Sequence, residues 1–164
     1  MRELEFSPTE LSRWHGELRR YGHRLTGDAD LSEDLAQEAM FRLLRLRADA
    51  RPENARAWLF RVVTNLVRDG ARMRERRERI AVPPPGEEPV IPSVEFERRE
   101  VVARVRSVLD QLSPRDQQML ILRESGFDHR EIGQIVGVKP QSVSVLLARA
   151  LERFKTAYLA EATL

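Results

Sequence analysis

Arg61, Arg68, Arg72, Arg74, Arg76, Arg77 and Arg79 stand against only Asp69, Glu75 and Glu78 in one short stretch of the chain. Guanidinium groups at that density suit phosphate oxygens and base edges, which accept the paired N–H donors that lysine lacks. The bias is general: of 28 basic residues, only Lys139 and Lys155 are lysines. A GC-rich coding sequence gives the same bias, and a run of like charge is also the ordinary pattern of a solvated helix face, so placement says more than total. A second block has the opposite sign. Asp28, Asp30, Glu33, Asp34 and Glu38 occupy residues 25–41 with no base among them. Asp30, Glu33 and Asp34 complement the dipole of a helix start, whereas Glu38 lies a turn further on, where an acidic face suits a basic protein partner.

Catalytic constellations are thin. His15, His23 and His129 lack metal-ligand spacing, and Asp28, Asp30 and Asp34 lack the glycine and terminal glutamate of a calcium loop. The absence of cysteine removes thiolate nucleophiles, disulfides and thiolate zinc sites. We therefore expect no enzyme, no cofactor and no metal.

The elements that carry these blocks read as helices. Ser7, Pro8 and Glu10 form an N-terminal cap, and Leu11, Trp14, Leu18, Tyr21 and Leu25 follow at steps of three and four until Gly27. A second helix spans about 31–46, burying Leu31, Leu35, Ala39, Leu43 and Leu46. A third follows Pro52, Glu53 and Asn54 with a stripe of Trp58, Leu59, Val62, Val63, Leu66 and Val67. Beyond residue 97 come four more. The first runs 96–112; Ser113 and Pro114 cap the next, which stops near Gly126; Asp128 and Glu131 cap a short one ending at Gly137; Pro140 opens a longer one with Val143, Leu147, Ala150, Leu151 and Phe154. A short helix, a glycine turn and a longer helix are the grammar of a helix-turn-helix, with Gly133 where the two would cross closely.

With 164 residues, 33% of them charged, and a net charge of +2, the chain is expected to be all-α, with two small helical domains over 1–80 and 98–164. Between them, residues 81–97 hold five of the nine prolines, four glutamates and no base. That composition describes an extended acidic connector, either a bare tether or a segment with contacts of its own. A flexible connector implies many interdomain arrangements in the free protein, with a partner needed to fix one. The longest apolar runs are far too short to cross a membrane, and the opening residues lack a signal-peptide pattern, so no membrane insertion and a cytoplasmic location are expected.

Three blocks carry a resemblance. SEDLAQEAMFRLLR (32–45), ARAWLFRVVTNLVRDGARMRERR (55–77) and LDQLSPRDQQMLILRESGFDHREIGQIVGVKPQSVSVLLARALERF (109–154) resemble the sigma-70 family of bacterial transcription initiation factors. The two-domain layout is similar to its extracytoplasmic-function (ECF) group. The resemblance covers residues 6–155, and its first two blocks are more specific than the helix-turn-helix, which many regulators share.

The resemblance implies a promoter-specificity subunit that binds core RNA polymerase through Asp34, Leu35, Gln37, Glu38 and Arg42. A region 2-like bundle would melt and read the minus-ten element. There, a loop centred on Asn65, with Thr64 and Leu66, would capture an unpaired base, and Arg61, Arg68, Arg72, Arg74 and Arg76 would hold the displaced strand. A region 4-like helix-turn-helix would face the minus-thirty-five element with Lys139, Gln141, Ser142, Ser144, Val145, Arg149 and Arg153. The connector would thread toward the RNA exit path. An anti-sigma factor or another recruiting protein is a further implied partner. Two departures stand out: the recognition helix has no Arg or Lys between its start and Arg149, which implies a weak or unusual minus-thirty-five contact, and Gly70 interrupts the arginine helix. The alternative reading is a helix-turn-helix regulator or sigma-like adaptor acting through a protein partner.

Overall fold

Local signals place most helix ends. The computed structural model describes residues 6–78 and 93–164, the side chains of 72–78 and 93–95 excepted. Its described residues form seven α-helices and no strand: α1 (Pro8–Thr26), α2 (Ala29–Arg45), α3 (Ala55–Glu78), α4 (Ser93–Gln111), α5 (Pro114–Glu124), α6 (His129–Val136) and α7 (Pro140–Ala162), with one 3-10 turn at Ala48–Ala50. Ser7 and Glu10 make a reciprocal capping box on α1, and Asp128 and Glu131 make another on α6. Gly27 and Gly137 close α1 and α6 in the left-handed region, at φ 70° and 80°. The helix expected from Phe96 starts earlier, at Ser93, inside the stretch read as connector. The rest of that connector, and Arg79, lie outside the described residues.

Helices α1, α2 and α3 pack on one another, and α4 to α7 form the second group, in which α7 touches α4, α5 and α6. In the first group Trp14, Leu18 and Tyr21 of α1 meet Leu35, Ala36, Ala39, Met40 and Leu43 of α2 and Leu59, Phe60 and Val63 of α3. In the second, Gly133 lets α6 and α7 approach: a Cβ there would lie 2.7 Å from the Val138 carbonyl oxygen and 3.4 Å from a Val143 methyl.

The two groups also pack directly on each other. α3 runs against α6, and α1 touches α5. The Phe60 ring lies 4.8 Å from that of Phe127, edge to face, and most of the buried apolar side chains of the two groups, those of α1, α2 and α3 with those of α5, α6 and the start of α7, belong to one apolar cluster. An aromatic pair in this geometry contributes about 0.5–1.5 kcal/mol beyond the area it buries. Against the many arrangements expected of a flexible connector, the structure shows one in which the two groups are packed together. The connector's composition carried no sign of this, because the residues responsible lie in the helices and turns on either side of it.

Candidate nucleic-acid and protein interface

α2 presents two faces. Its inner stripe, including Leu35 at 7% exposure, is part of the apolar core, so Leu35 positions the helix and has little surface to offer a partner. On the outer face Asp34, Gln37, Glu38 and Arg42 are exposed, and among them Phe41 and Leu44 are left 55% and 43% exposed. The Arg42 Nε donates to Glu38 Oε1 at 2.7 Å, and the Gln37 amide donates to Glu33 Oε1 at 3.0 Å. That amide bond, helped by His15 and Arg19, holds the Glu33 carboxyl below its ordinary 4.5.

The residues read as minus-ten contacts divide. Arg61 and Asn65 are exposed, and Leu66 is half-buried. The expected base-capturing loop is absent: α3 runs unbroken from Ala55 to Glu78, which makes Asn65 one turn of a continuous helix. Thr64 is wholly buried. Its hydroxyl donates to the Phe60 carbonyl at 2.7 Å and so accepts from the Tyr21 hydroxyl at 2.7 Å, which leaves no atom for a base. Burial pushes the Tyr21 phenol above its ordinary value, so it stays a neutral donor. The side chains of Arg72, Arg74 and Arg76 lie outside the described residues.

Arg68 faces the second group instead of solvent. Its Nη2 donates to Gln118 Oε1 at 2.9 Å and to the Val136 carbonyl oxygen at 3.0 Å. Arg56 does the same work further along α3. Its Nε donates to Glu17 at 2.7 Å and its Nη2 to the Ser125 carbonyl at 3.2 Å, and its guanidinium lies 4.2 Å from the centroid of the Phe127 ring. The sequence reading missed Arg56, Gln118 and Phe127. A polar Gln118 inside the apolar stripe of α5, and an apolar Phe127 in a turn, were the available signals.

Lys139, Gln141, Ser142, Ser144, Val145 and Arg149 are exposed along the start of α7. They ride on Val143, whose burial against α6 fixes the helix. Arg153 differs. It bridges to Asp116 of α5 at 2.7 Å, and the Asp116 carboxylate is only 3% exposed. That arginine fastens α7 to α5. Among the described residues no cluster of His, Asp or Glu could hold a metal ion, and no helix is long and apolar enough to cross a membrane.

The Sigma-70 region 2 pattern matches residues 11–77, and the Sigma-70, region 4 pattern matches residues 103–154. An ECF RNA polymerase sigma factor, EcfG of Rhodopseudomonas palustris, is 30% identical over 81% of this chain and 74% of its own. The chain belongs to the ECF sigma factors of the sigma-70 family. SigE of Mycolicibacterium smegmatis, another ECF sigma factor, is 31% identical over 93% of this chain, which spans 61% of that relative's length. The sigma factor RpoE of Bartonella quintana, solved in complex with the anti-sigma factor NepR, shares the fold with a TM-score of 0.70 and 22% identity, over 91% of this chain and 94% of that one. In the structure the outer face of α2, the start of α7, and Arg61 and Asn65 of α3 are exposed, while Arg68 is engaged by the second group.

Proposed function

We propose that the protein is a promoter-specificity subunit of bacterial RNA polymerase. It docks on core enzyme through α2 and directs recognition and melting of promoter DNA through α3 and α7. The observation that carries this is the outer face of α2. Phe41 and Leu44 are held out of the core amid Asp34, Gln37, Glu38 and Arg42, a mixed apolar and charged patch of the kind that forms protein interfaces.

In this reading Arg61, Asn65 and Leu66, with the arginines that follow on α3, form the minus-ten surface. Lys139, Gln141, Ser142, Ser144, Val145 and Arg149 form the minus-thirty-five surface, where they would meet the major groove edge-on. The protein contributes positioning and strand capture, the polymerase contributes the chemistry, and the site of action is the cytoplasm. The relative solved with NepR supports an anti-sigma factor as a further class of partner.

The test is co-elution with purified core RNA polymerase. Glu38→Arg combined with Phe41→Asp is expected to weaken binding by at least about tenfold, as loss of central interface residues does. Undiminished binding by that variant would remove α2 from the interface, and absence of binding by the parent chain would count against the whole reading.

A further inference from the structure

Six hydrogen bonds join α1, α3 and the Asn54 that caps α3 to the second group: Arg24 with Glu124, Asn54 with Glu131, Arg56 with the Ser125 carbonyl, Arg68 with both Gln118 and the Val136 carbonyl, and Arg106 with the His23 carbonyl. Two of them reuse helix ends. Glu131 Oε2 accepts from the Asp128 backbone to cap α6, while its Oε1 accepts from Asn54 at 3.0 Å; Asn54 Oδ1 in turn caps α3 at Ala57. The starts of α3 and α6 are therefore tied to each other as well as to their own first turns.

Phe127 is fully buried at this junction, between the Phe60 ring and the Arg56 guanidinium. Gln118 is 2% exposed and meets Arg68 there. Arg61, earlier on α3, lines a neighbouring cleft between the groups together with Asn54, Asp128 and Arg130. One side of α3 is thus used twice, by α6 in the structure and by DNA in the reading above.

We propose that the packed interface between the two helical groups is an intramolecular latch that holds the sigma factor inactive. Arg68 is its switching residue, bound either to Gln118 and Val136 or to nucleic acid. The latch rests on the polymerase reading and adds to it a closed, self-inhibited state that needs no second protein. Opening exposes Arg68, and core enzyme or promoter DNA shifts the population by binding the open form better.

The chain has no cysteine, so a pair introduced across the interface is unique. In the full chain, Arg24→Cys with Glu124→Cys places thiols at a peripheral ion pair outside the proposed binding surfaces. The variant is bridged with a short bismaleimide or, as the control, capped at both thiols with N-ethylmaleimide. Initiation is then measured with core RNA polymerase on fragmented DNA of the source genome. The capped form is expected to initiate, and the bridged form to fall by at least about tenfold. Conversely, Glu124→Arg, which sets two cations face to face, is expected to raise initiation at limiting protein by about threefold. Equal initiation by bridged and capped forms overturns the latch while leaving the polymerase reading intact. No initiation by the capped form, in which the Arg24 and Glu124 ion pair is gone, together with no co-elution with core enzyme overturns the polymerase reading, and the latch with it.

Discussion

The guanidinium of Arg68 donates to the Val136 carbonyl oxygen, 3.0 Å away across the boundary between the two helical groups. Val136 is the last residue of α6, so this carbonyl lacks an intrahelical partner and is satisfied from α3. The second bond, from the same Nη2 to the nearly buried Gln118, completes the bridge. Arg68→Ala is expected to destabilise the packed form by about 1–3 kcal/mol, because Gln118 and Val136 both lose a charged donor. Urea unfolding of the purified variant measures this. An unchanged midpoint would mean that Arg68 stands outside the interface in solution.

Two glycines should respond in opposite directions. Gly70 lies inside α3, and a Cβ there would meet nothing within 4 Å. Gly70→Ala is therefore expected to raise stability by up to about 1 kcal/mol through helix propensity. Gly133→Ala would push a methyl to 2.7 Å from the Val138 carbonyl oxygen, and is expected to cost about 1–3 kcal/mol by prying α6 from α7. Thermal melts of the two variants side by side test the pair.

Arg149 and Arg153 share a helix face but have different duties. Arg153→Ala leaves the buried Asp116 carboxylate without its cation, which is expected to cost about 1–3 kcal/mol, less than for a fully buried pair because Arg153 is half in water. Arg149 is exposed, so Arg149→Ala should leave stability within about 0.5 kcal/mol of the parent. The stretch from Pro140 to Ala148 offers no cation, so the minus-thirty-five contact is expected to be weak as a whole. The exposed Arg149 is expected to add only one phosphate contact to it, so Arg149→Ala should also change promoter activity little. Chemical denaturation and a promoter-activity assay separate the two roles.

Glu33 links α1 and α2 through His15, 3.0 Å away, and Arg19, 3.7 Å away. Its carboxyl titrates below 4.5 in the folded protein, chiefly through the Gln37 amide. A depressed carboxyl contributes stability that is present above its unfolded value and is lost as the pH falls through its folded one. The stability of the parent should accordingly decline on acidification below about pH 4.5, and part of that decline should vanish in Glu33→Gln. Unfolding free energies measured across that range decide it, and parallel pH curves for the two proteins would contradict it.

The parts of this fold that were legible in the sequence are those set by neighbours a few residues apart. Ser7 with Glu10 and Asp128 with Glu131 announce capping boxes, Gly27 and Gly137 announce left-handed stops, and the 3.6-residue stripes mark the inner faces of α1, α2 and α3. The helix-turn-helix was readable for the same reason, since Gly133 permits a crossing that Val138 and Val143 complete. What stayed hidden depends on partners distant in the chain. Thr64 reads as a surface residue until Tyr21, 43 positions away, claims its hydroxyl. Arg68 reads as a phosphate contact until Gln118 and Val136 are brought to it. The loop expected around Asn65 was carried over by resemblance alone, and the helix-compatible residues on both sides of it continue α3 without a break.

The central claim is most directly tested by transcription with purified core bacterial RNA polymerase on fragmented DNA of the source genome, with and without this protein, mapping every new start site. The account predicts discrete starts that appear only with the protein and share an upstream minus-ten motif. A start-site map that the protein leaves unchanged, together with failure to co-elute with core enzyme, would contradict it.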